Sequence, residues 1–442
     1  MDTAALARAQ MGLSLAFHIV FAAFGVGLPL LLVIADTFAA RTGDERYRLL
    51  SRRMAKGTAI LFAVGAVSGT VLSLELGLLW PEFMRRFGEV VGPLFALEGV
   101  AFFLEAIFLG VVLYGRDRVS PTAYRLSGVV VALSGAASAA FVTVVNAFMN
   151  LPVEVQWTQG RAFLDEPWRV FLAPSALTQI VHVLLSCYAV TGFVMAAVHA
   201  TLLLRGREPS FHRAALNVAL PVGIVSALVL PLSGDLSAKQ VTKHQPWKLA
   251  AMEAHFETRA CAPLLIGGLP DEATGTVRFG LEVPCGLSVL GKMDPNAVIT
   301  GLDQIPPAER PPVTRTHLSF QVMVGAGGFL ALLSVFALGW RWRKGAWPEH
   351  RAFWWSLVAA GVAAPVAMEA GWLVTEFGRQ PYVVRGLLLT AEAATKVDGL
   401  MPRLLVFSGV YVFLAATVVS LLLGLFREPE PTLPPLPVPD AA

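Results

Sequence analysis

The stretch Gly361–Val384, GVAAPVAMEAGWLVTEFGRQPYVV, reads as the close of an apolar helix, yet it holds Glu369 and Glu376 and runs into Gly378-Arg379-Gln380-Pro381. A carboxylate with about two turns of apolar helix still to run on either side is costly in a bilayer unless a cation, a metal centre or a water-filled path compensates it. Two questions follow. What kind of chain carries such a helix, and what does Glu369 face?

The chain has 442 residues, of which 55% are hydrophobic and 15% charged, with a mean hydropathy of +0.64. Soluble domains carry about 25% charged residues, so the composition alone reads as an integral membrane protein. The net charge of +3 says little about partners; the placement of Lys and Arg along the chain says more. Met1–Gln10 is short and polar and contains Asp2, so the first apolar run is expected to be a retained helix and not a cleaved signal.

A membrane helix needs ~20 mostly apolar residues. Nine segments qualify: 11–40, 54–79, 92–114, 122–149, 174–204, 214–233, 316–340, 352–377 and 402–426. A porin-like barrel would show short alternating segments instead, so the expected fold is an all-α bundle. Basic residues cluster after spans one (Arg41 to Lys56), three (Arg116, Arg118), five (Arg205, Arg207, Arg213) and seven (Arg341, Arg343, Lys344). The alternate loops are sparser in basic residues and hold acids such as Glu154, Asp165 and Glu166. The positive-inside bias then puts the N-terminus outside and the C-terminus in the cytoplasm, a parity that nine spans satisfy.

The expected units are residues 1–233 (spans one to six), 234–315 (an outer loop rich in Pro and Gly), 316–428 (spans seven to nine) and a Pro-rich, disordered tail at 429–442. A loop of that length points to a binding or functional segment. No internal repeat of the transporter kind is visible.

With this topology, His18, Glu98, His182, Met323 and Glu369 all fall in the outer half of the bilayer at ~1.5 Å rise per residue. Histidine and methionine are axial ligands of haem iron, and His/Met is the pairing of low-spin electron-transfer haems. His182 and Met323 can supply that pair from two helices. His18 and Glu369 can each hold an iron with an open position. Each residue taken alone has an ordinary alternative, His as an interhelical hydrogen-bonding group and Met as packing. Glu98 and Glu105 lie seven apart on one helix face, as a proton relay or as acids bonded to neighbouring Ser or Asn. His199, His212 and His317 read as interfacial, and His244 and His255 as solvated.

These residues, with GPLFALEGVAFFLEAIFLG (92–110), WKLAAMEAHFET (247–258), AMEAGWLVTEFGRQP (367–381) and FHIVFAAFGVGLPLLL (17–32), resemble subunit I of the cytochrome bd-type quinol oxidases, the cyanide-insensitive, short-loop branch included, over nearly the whole chain. The resemblance implies His182 and Met323 as axial ligands of a low-spin haem b. It implies His18 and Glu369 as ligands of two high-spin haems, haem b plus either haem d or a second haem b, where oxygen becomes water. Glu98 is implied as a haem ligand or proton donor, Glu105 and Ser138 as parts of the proton route, and Lys248 and Glu253 as quinol-oxidising residues of the outer loop. Arg379 and Gln380 belong to the family's GRQP signature near the quinol and haem region. Implied partners are a smaller membrane subunit II, with a small single-helix subunit also allowed, together with ubiquinol or menaquinol, O2 and the lipid bilayer. No nucleic acid is implied, and the expected location is the bacterial cytoplasmic (inner) membrane.

The chemistry agrees. Quinol oxidation releases two protons and two electrons and needs a base and an anion-stabilising cation, which Lys248 and Glu253 offer; the bland reading is an exposed i,i+5 pair. Protons released there enter the outer compartment, while those consumed at the oxygen site come from inside. The sequence departs from the family at Gln321, where many members carry Arg and where loss of the cation is expected to alter the haem's surroundings. It departs again at Tyr382, which ends the signature in place of Trp. Cys261 and Cys285 both fall in the outer loop and are expected to form a bridge. Two other functions compete: a quinol-oxidising cytochrome that hands electrons to a partner, needing only the His182/Met323 haem, and a proton-coupled transporter.

Overall fold

Apolar runs of this length can hide their backbone polar groups from lipid by forming α-helices. The computed structural model, which describes residues 3–427, contains nine helices long and apolar enough to cross a membrane. These are α1 (Thr3–Thr42), α2 (Glu45–Leu79), α3 (Pro81–Tyr114), α4 (Pro121–Asn150), α5 (Ala176–Leu204), α6 (Pro209–His244), α9 (Val313–Lys344), α10 (Arg351–Arg379) and α12 (Leu400–Arg427). Short helices α7 (Pro246–Met252), α8 (Gly286–Lys292) and α11 (Thr390–Ala393) lie in the connections. Local sequence sets several starts. Asp44 accepts a bond from Arg46 N–H ahead of α2, and Ser120 from Ala123 N–H ahead of α4. Proline occupies the first position of α3, α4 and α6, where its missing N–H costs nothing.

Each expected span falls within one of these helices to within two residues. The sixth runs further, because α6 continues to His244, where the apolar run stops near residue 233. Polar residues 234–244 still form helix, tied by Lys239 to Asp235 at 2.6 Å and by the Thr242 hydroxyl to Ala238 C=O. Apolarity marks lipid depth, not helix ends. The expected tail at 429–442 lies outside the described residues.

Helices α5, α6, α9 and α10 interlock around Phe193, Leu220, Leu330, Leu357 and Ala360, with Ala23 and Val26 of α1 in the same core. Helices α1 to α4 pack around Leu31, Leu50, Leu109 and Val131. Helix α12 leans on α1 and α2 through Val418 against Phe21 and Leu61. The outward faces are apolar, with Leu332 73% and Phe103 66% exposed, as lipid-facing side chains should be.

Helices α4, α6 and α10 end on the same side of the bundle, called the loop end here. The connection from α6 to α9 holds α7, a hairpin of β4 (Leu264–Asp271) with β5 (Thr276–Val283), α8, and the short pair β3 (Arg259–Ala260) with β6 (Val298–Ile299). Cys261 and Cys285 are disulfide-bonded across the base of that hairpin, as expected. Smaller hairpins sit between α4 and α5 (β1, Gln156–Thr158, with β2, Arg161–Phe163) and after α10 (β7, Tyr382–Val384, with β8, Leu388–Leu389).

Candidate functional site

Helix α7 lies across the loop end with Lys248 and Glu253 both buried. The exposed i,i+5 reading therefore fails. Ala250 and Ala254 pack with Leu265, Leu302 and Val313, which turns this segment inward. Lys248 Nζ donates to Asn150 Oδ1 at 3.0 Å and to Thr375 Oγ1 at 3.4 Å. Its stem crosses α10 at Gly378, where a Cβ would sit 2.8 Å from the lysine carbons.

From Asn150 the network continues inward. Its Nδ2 donates to Asn146 Oδ1 at 3.1 Å, Asn146 Nδ2 donates to Glu376 Oε1 at 3.2 Å, and Arg379 Nη2 donates to Glu376 Oε2 at 2.6 Å. Gln380 Oε1 accepts from Thr390 Oγ1 at 2.9 Å. Beside it the Arg385 guanidinium lies over the rings of Trp247 (4.1 Å) and Tyr382 (4.7 Å). Tyr382 thus helps fix the residue that precedes Lys248.

Burial pushes Lys248 down to about 7, with the Arg379 charge adding to the effect and Glu376 opposing it. Burial alone pushes Glu253 up to about 8. Glu253 Oε2 has no hydrogen-bond partner. A base and a cation that both exchange protons near neutrality are what hydroquinone chemistry requires.

Deeper in the bundle, His18 Nδ1 lies 2.9 Å from Ser68 Oγ, whose own proton is given to Val64 C=O at 2.9 Å. With the Ser68 proton on Val64 C=O, the ring proton sits on His18 Nδ1 and the Nε2 lone pair is left for a metal. His182 on α5 also has a serine at one ring nitrogen, with Nδ1 3.3 Å from Ser233 Oγ of α6. Met323 on α9 faces α10 at Gly371, where a Cβ would meet its sulfur at 3.1 Å. Glu98 lies beside Ser138, and Glu105 is wedged against Gly135 of α4. Buried Oε1 atoms of Glu369 and Glu105 have no partner. His182 and Met323 belong to the group formed by α5, α6, α9 and α10, and His18 and Glu98 to the group formed by α1 to α4.

Two histidines, each with Nδ1 beside a serine, and a methionine stand on separate helices of a bundle that also buries unpaired carboxylate oxygens, a donor set that suits haem. No cluster of three or more His, Cys, Asp or Glu that would cage a bare ion occurs among the described residues. The geometry adds one candidate that the sequence reading named but gave no role. Glu376 lies seven residues from Glu369, on the same face of α10, and the i,i+7 spacing was the available signal.

Four histidine placements differ from expectation. His199 and His212, read as interfacial, are buried at the opposite end and face each other with Nδ1 atoms 2.9 Å apart. Pairing across α5 and α6 takes both rings out of the interface. His255, read as solvated, is buried with Nε2 3.3 Å from Ile299 C=O. His317 is fully buried between the loop and α9. Gln321 turns to the loop, where its amide bonds Leu265 and Gly267 of β4.

The sequence profile of the family described as cytochrome bd terminal oxidase subunit I matches residues 6–430. A Bacillus subtilis protein named putative cytochrome bd menaquinol oxidase subunit I is 37% identical over 97% of both chains. Escherichia coli cytochrome bd-II ubiquinol oxidase subunit 1 is 27% identical, with 94% of this chain and 95% of that protein covered. The solved bd oxidase from Geobacillus thermodenitrificans superposes with a TM-score of 0.90 at 39% identity, over 96% of this chain and 98% of that one.

Proposed function

The chain belongs to the cytochrome bd terminal oxidase subunit I family, multi-pass bacterial membrane proteins of quinol oxidases, and from that premise we propose the following division of labour. Quinol is oxidised at the loop end, which faces outward, and oxygen is reduced to water with protons drawn from the inside. The observation that carries this is the buried Lys248–Glu253 segment, poised near neutrality above the helices that bear His182 and Met323. Glu253 takes a hydroxyl proton from quinol, and Lys248 stabilises the phenolate that remains. Both protons leave to the outer compartment. Asn150 and Thr375 hold the ammonium in place, and the Arg379–Glu376 pair fixes Asn146 beneath them.

His182 and Met323 would hold a low-spin haem b. His18 and a carboxylate of α10 would serve two high-spin haems, haem b with either haem d or a second haem b, and Glu98 stands beside them. Bound there, the haems supply one-electron transfer and the oxygen site. Glu105, Ser138 and Glu98 would carry protons outward from the opposite end. A smaller subunit II completes the complex, and a single-helix subunit is compatible with it. Menaquinol is the first substrate to try, given the name of the 37% identical relative, with ubiquinol second.

The test is a reduced-minus-oxidised spectrum of the purified complex with and without carbon monoxide, on wild type and on His182→Ala. The wild type should show low-spin haem b bands and a CO-sensitive species, with a far-red band if haem d is present. His182→Ala should lose the low-spin bands and at least ~100-fold in quinol oxidation, since the ligand has no replacement. Low-spin bands with no CO response in the intact wild type would leave only an electron relay; no haem at all would leave the transporter.

A further inference from the structure

Two side chains of α9 one helical turn apart reach the backbone of the loop. His317 is fully buried, with Nδ1 2.8 Å from Met252 C=O and Nε2 3.1 Å from Gly267 C=O. A neutral ring donates to one of these carbonyls and a doubly protonated ring to both. On the same face, Gln321 accepts from Gly267 N–H at 2.9 Å and donates to Leu265 C=O at 3.0 Å. Gly267 is thus gripped at both of its backbone groups. Met252 ends α7 and directly precedes Glu253, so its carbonyl is one of the helix-terminal acceptors that lack an intrahelical partner. Two residues beyond Gln321 on the same helix comes Met323.

We propose that His317 and Gln321 are positioning residues for quinol oxidation. The geometry makes α9 a common ruler: His317 fixes the end of α7, and hence Glu253, and Gln321 fixes the hairpin packed over it, both measured from the helix that bears Met323. Lys248 is anchored independently, by Asn150 of α4 and Thr375 of α10. The two quinol-facing groups are therefore hydrogen-bonded to different helices, Lys248 to α4 and α10 and the Glu253 end of α7 to α9. Neither His317 nor Gln321 needs to touch quinol. The inference rests on the reading of Lys248 and Glu253 as the quinol site.

The test uses the whole purified complex with His317→Asn, Gln321→Ala, Glu253→Gln and the double variant His317→Asn/Glu253→Gln. Each is assayed for oxygen uptake with a varied soluble quinol and, separately, with an artificial one-electron donor that bypasses the loop. His317→Asn and Gln321→Ala should each lose about two- to tenfold in quinol kcat/KM, the size of one or two hydrogen bonds. The artificial-donor rate and the haem spectrum should stay as in wild type. Asparagine keeps one donor, so His317→Ala should fall further. The double variant should lose little beyond Glu253→Gln alone, because His317 acts through Glu253. Additive losses, or equal losses with both donors, would overturn the positioning role. So would unchanged quinol kinetics in both single variants while Glu253→Gln is impaired. If Glu253→Gln itself leaves quinol turnover intact, the assignment of the quinol site has failed, and the positioning role falls with it.

Discussion

The bundle and the loop above it bury polar side chains in opposite ways. In the bundle, His18 and His182 are each held at one ring nitrogen by a serine, and buried carboxylate oxygens of Glu369, Glu105 and Glu75 stand without partners. In the loop, bonding capacity is spent. Ser288 serves both Ala262 N–H and Ala297 C=O, Asp303 accepts from the backbone and hydroxyl of Thr258, and His317 and Gln321 each reach two backbone positions. Among the described residues 245–312, the buried side-chain atom left over is Glu253 Oε2. A buried polar atom without a partner costs about 1–3 kcal/mol. Where a fold tolerates several together, something outside the chain is expected to meet them; where it tolerates one in a saturated setting, that group is expected to exchange a proton.

The sharpest way to break this comparison is to ask which open carboxylate of α10 meets iron. Glu369 has an unpaired oxygen; Glu376 shares its face but is already bonded to Arg379 and Asn146. Glu369→Ala and Glu376→Ala should part company in the CO-difference spectrum, with the ligand variant losing a high-spin haem and ~100-fold or more in oxygen reduction. If Glu376→Ala is the one that does so, an unpaired oxygen is the wrong marker for an iron ligand in this bundle. Two full haem complements would remove α10 carboxylates from the ligand set altogether.

A smaller effect tests the loop's one exception. Glu253 must have lost its proton to act as a base, so turnover rises as pH climbs through about 8. Lys248 must keep its proton to stabilise a phenolate, so turnover falls as pH climbs through about 7. The base therefore titrates above the acid, and quinol kcat/KM should follow a narrow bell peaking between about 7 and 8. Glu253→Gln should abolish the rising limb and Lys248→Met the falling one, each at a cost of about 100-fold. A profile that keeps both limbs in either variant would assign them to other groups.

Much of this was legible in the sequence, and the parts that were not share a cause. The nine spans follow from apolar length, and the placing of His18, His182 and Met323 within α1, α5 and α9 from the bounds of those spans. Those readings need only one helix at a time. What escaped were relations between elements: that Lys248 reaches Asn150 across α4, that His199 and His212 close on each other, and that Gln321 faces a hairpin 54 residues earlier. Burial of α7 escaped for the same reason. Its composition around WKLAAMEA is compatible with an exposed helix, and only the hairpin folded over it shows otherwise. Gln321 illustrates the risk of reading a position by substitution alone, since absence of a charge there says nothing of the two backbone bonds its amide makes.

The smallest expected effect concerns how far the loop stands apart from the bundle. Cys261 and Cys285 close a segment 24 residues apart in sequence around the β4–β5 hairpin, and in the chain-entropy picture such a cross-link contributes about 3 kcal/mol against unfolding of what it encloses. That contribution belongs to the loop and not to the nine helices, whose packing does not involve it. Cys261→Ser/Cys285→Ser should therefore speed proteolytic cutting between β4 and β5. The haem spectrum should stay unchanged, and quinol turnover should lose no more than about tenfold, because His317 and Gln321 still hold Met252, Leu265 and Gly267 to α9. Loss of haem bands in this variant would mean that loop and bundle unfold together. The contrast between a saturated loop and an open bundle would then describe one cooperative unit, with the bundle's unpaired oxygens stabilised in part by the lid above them.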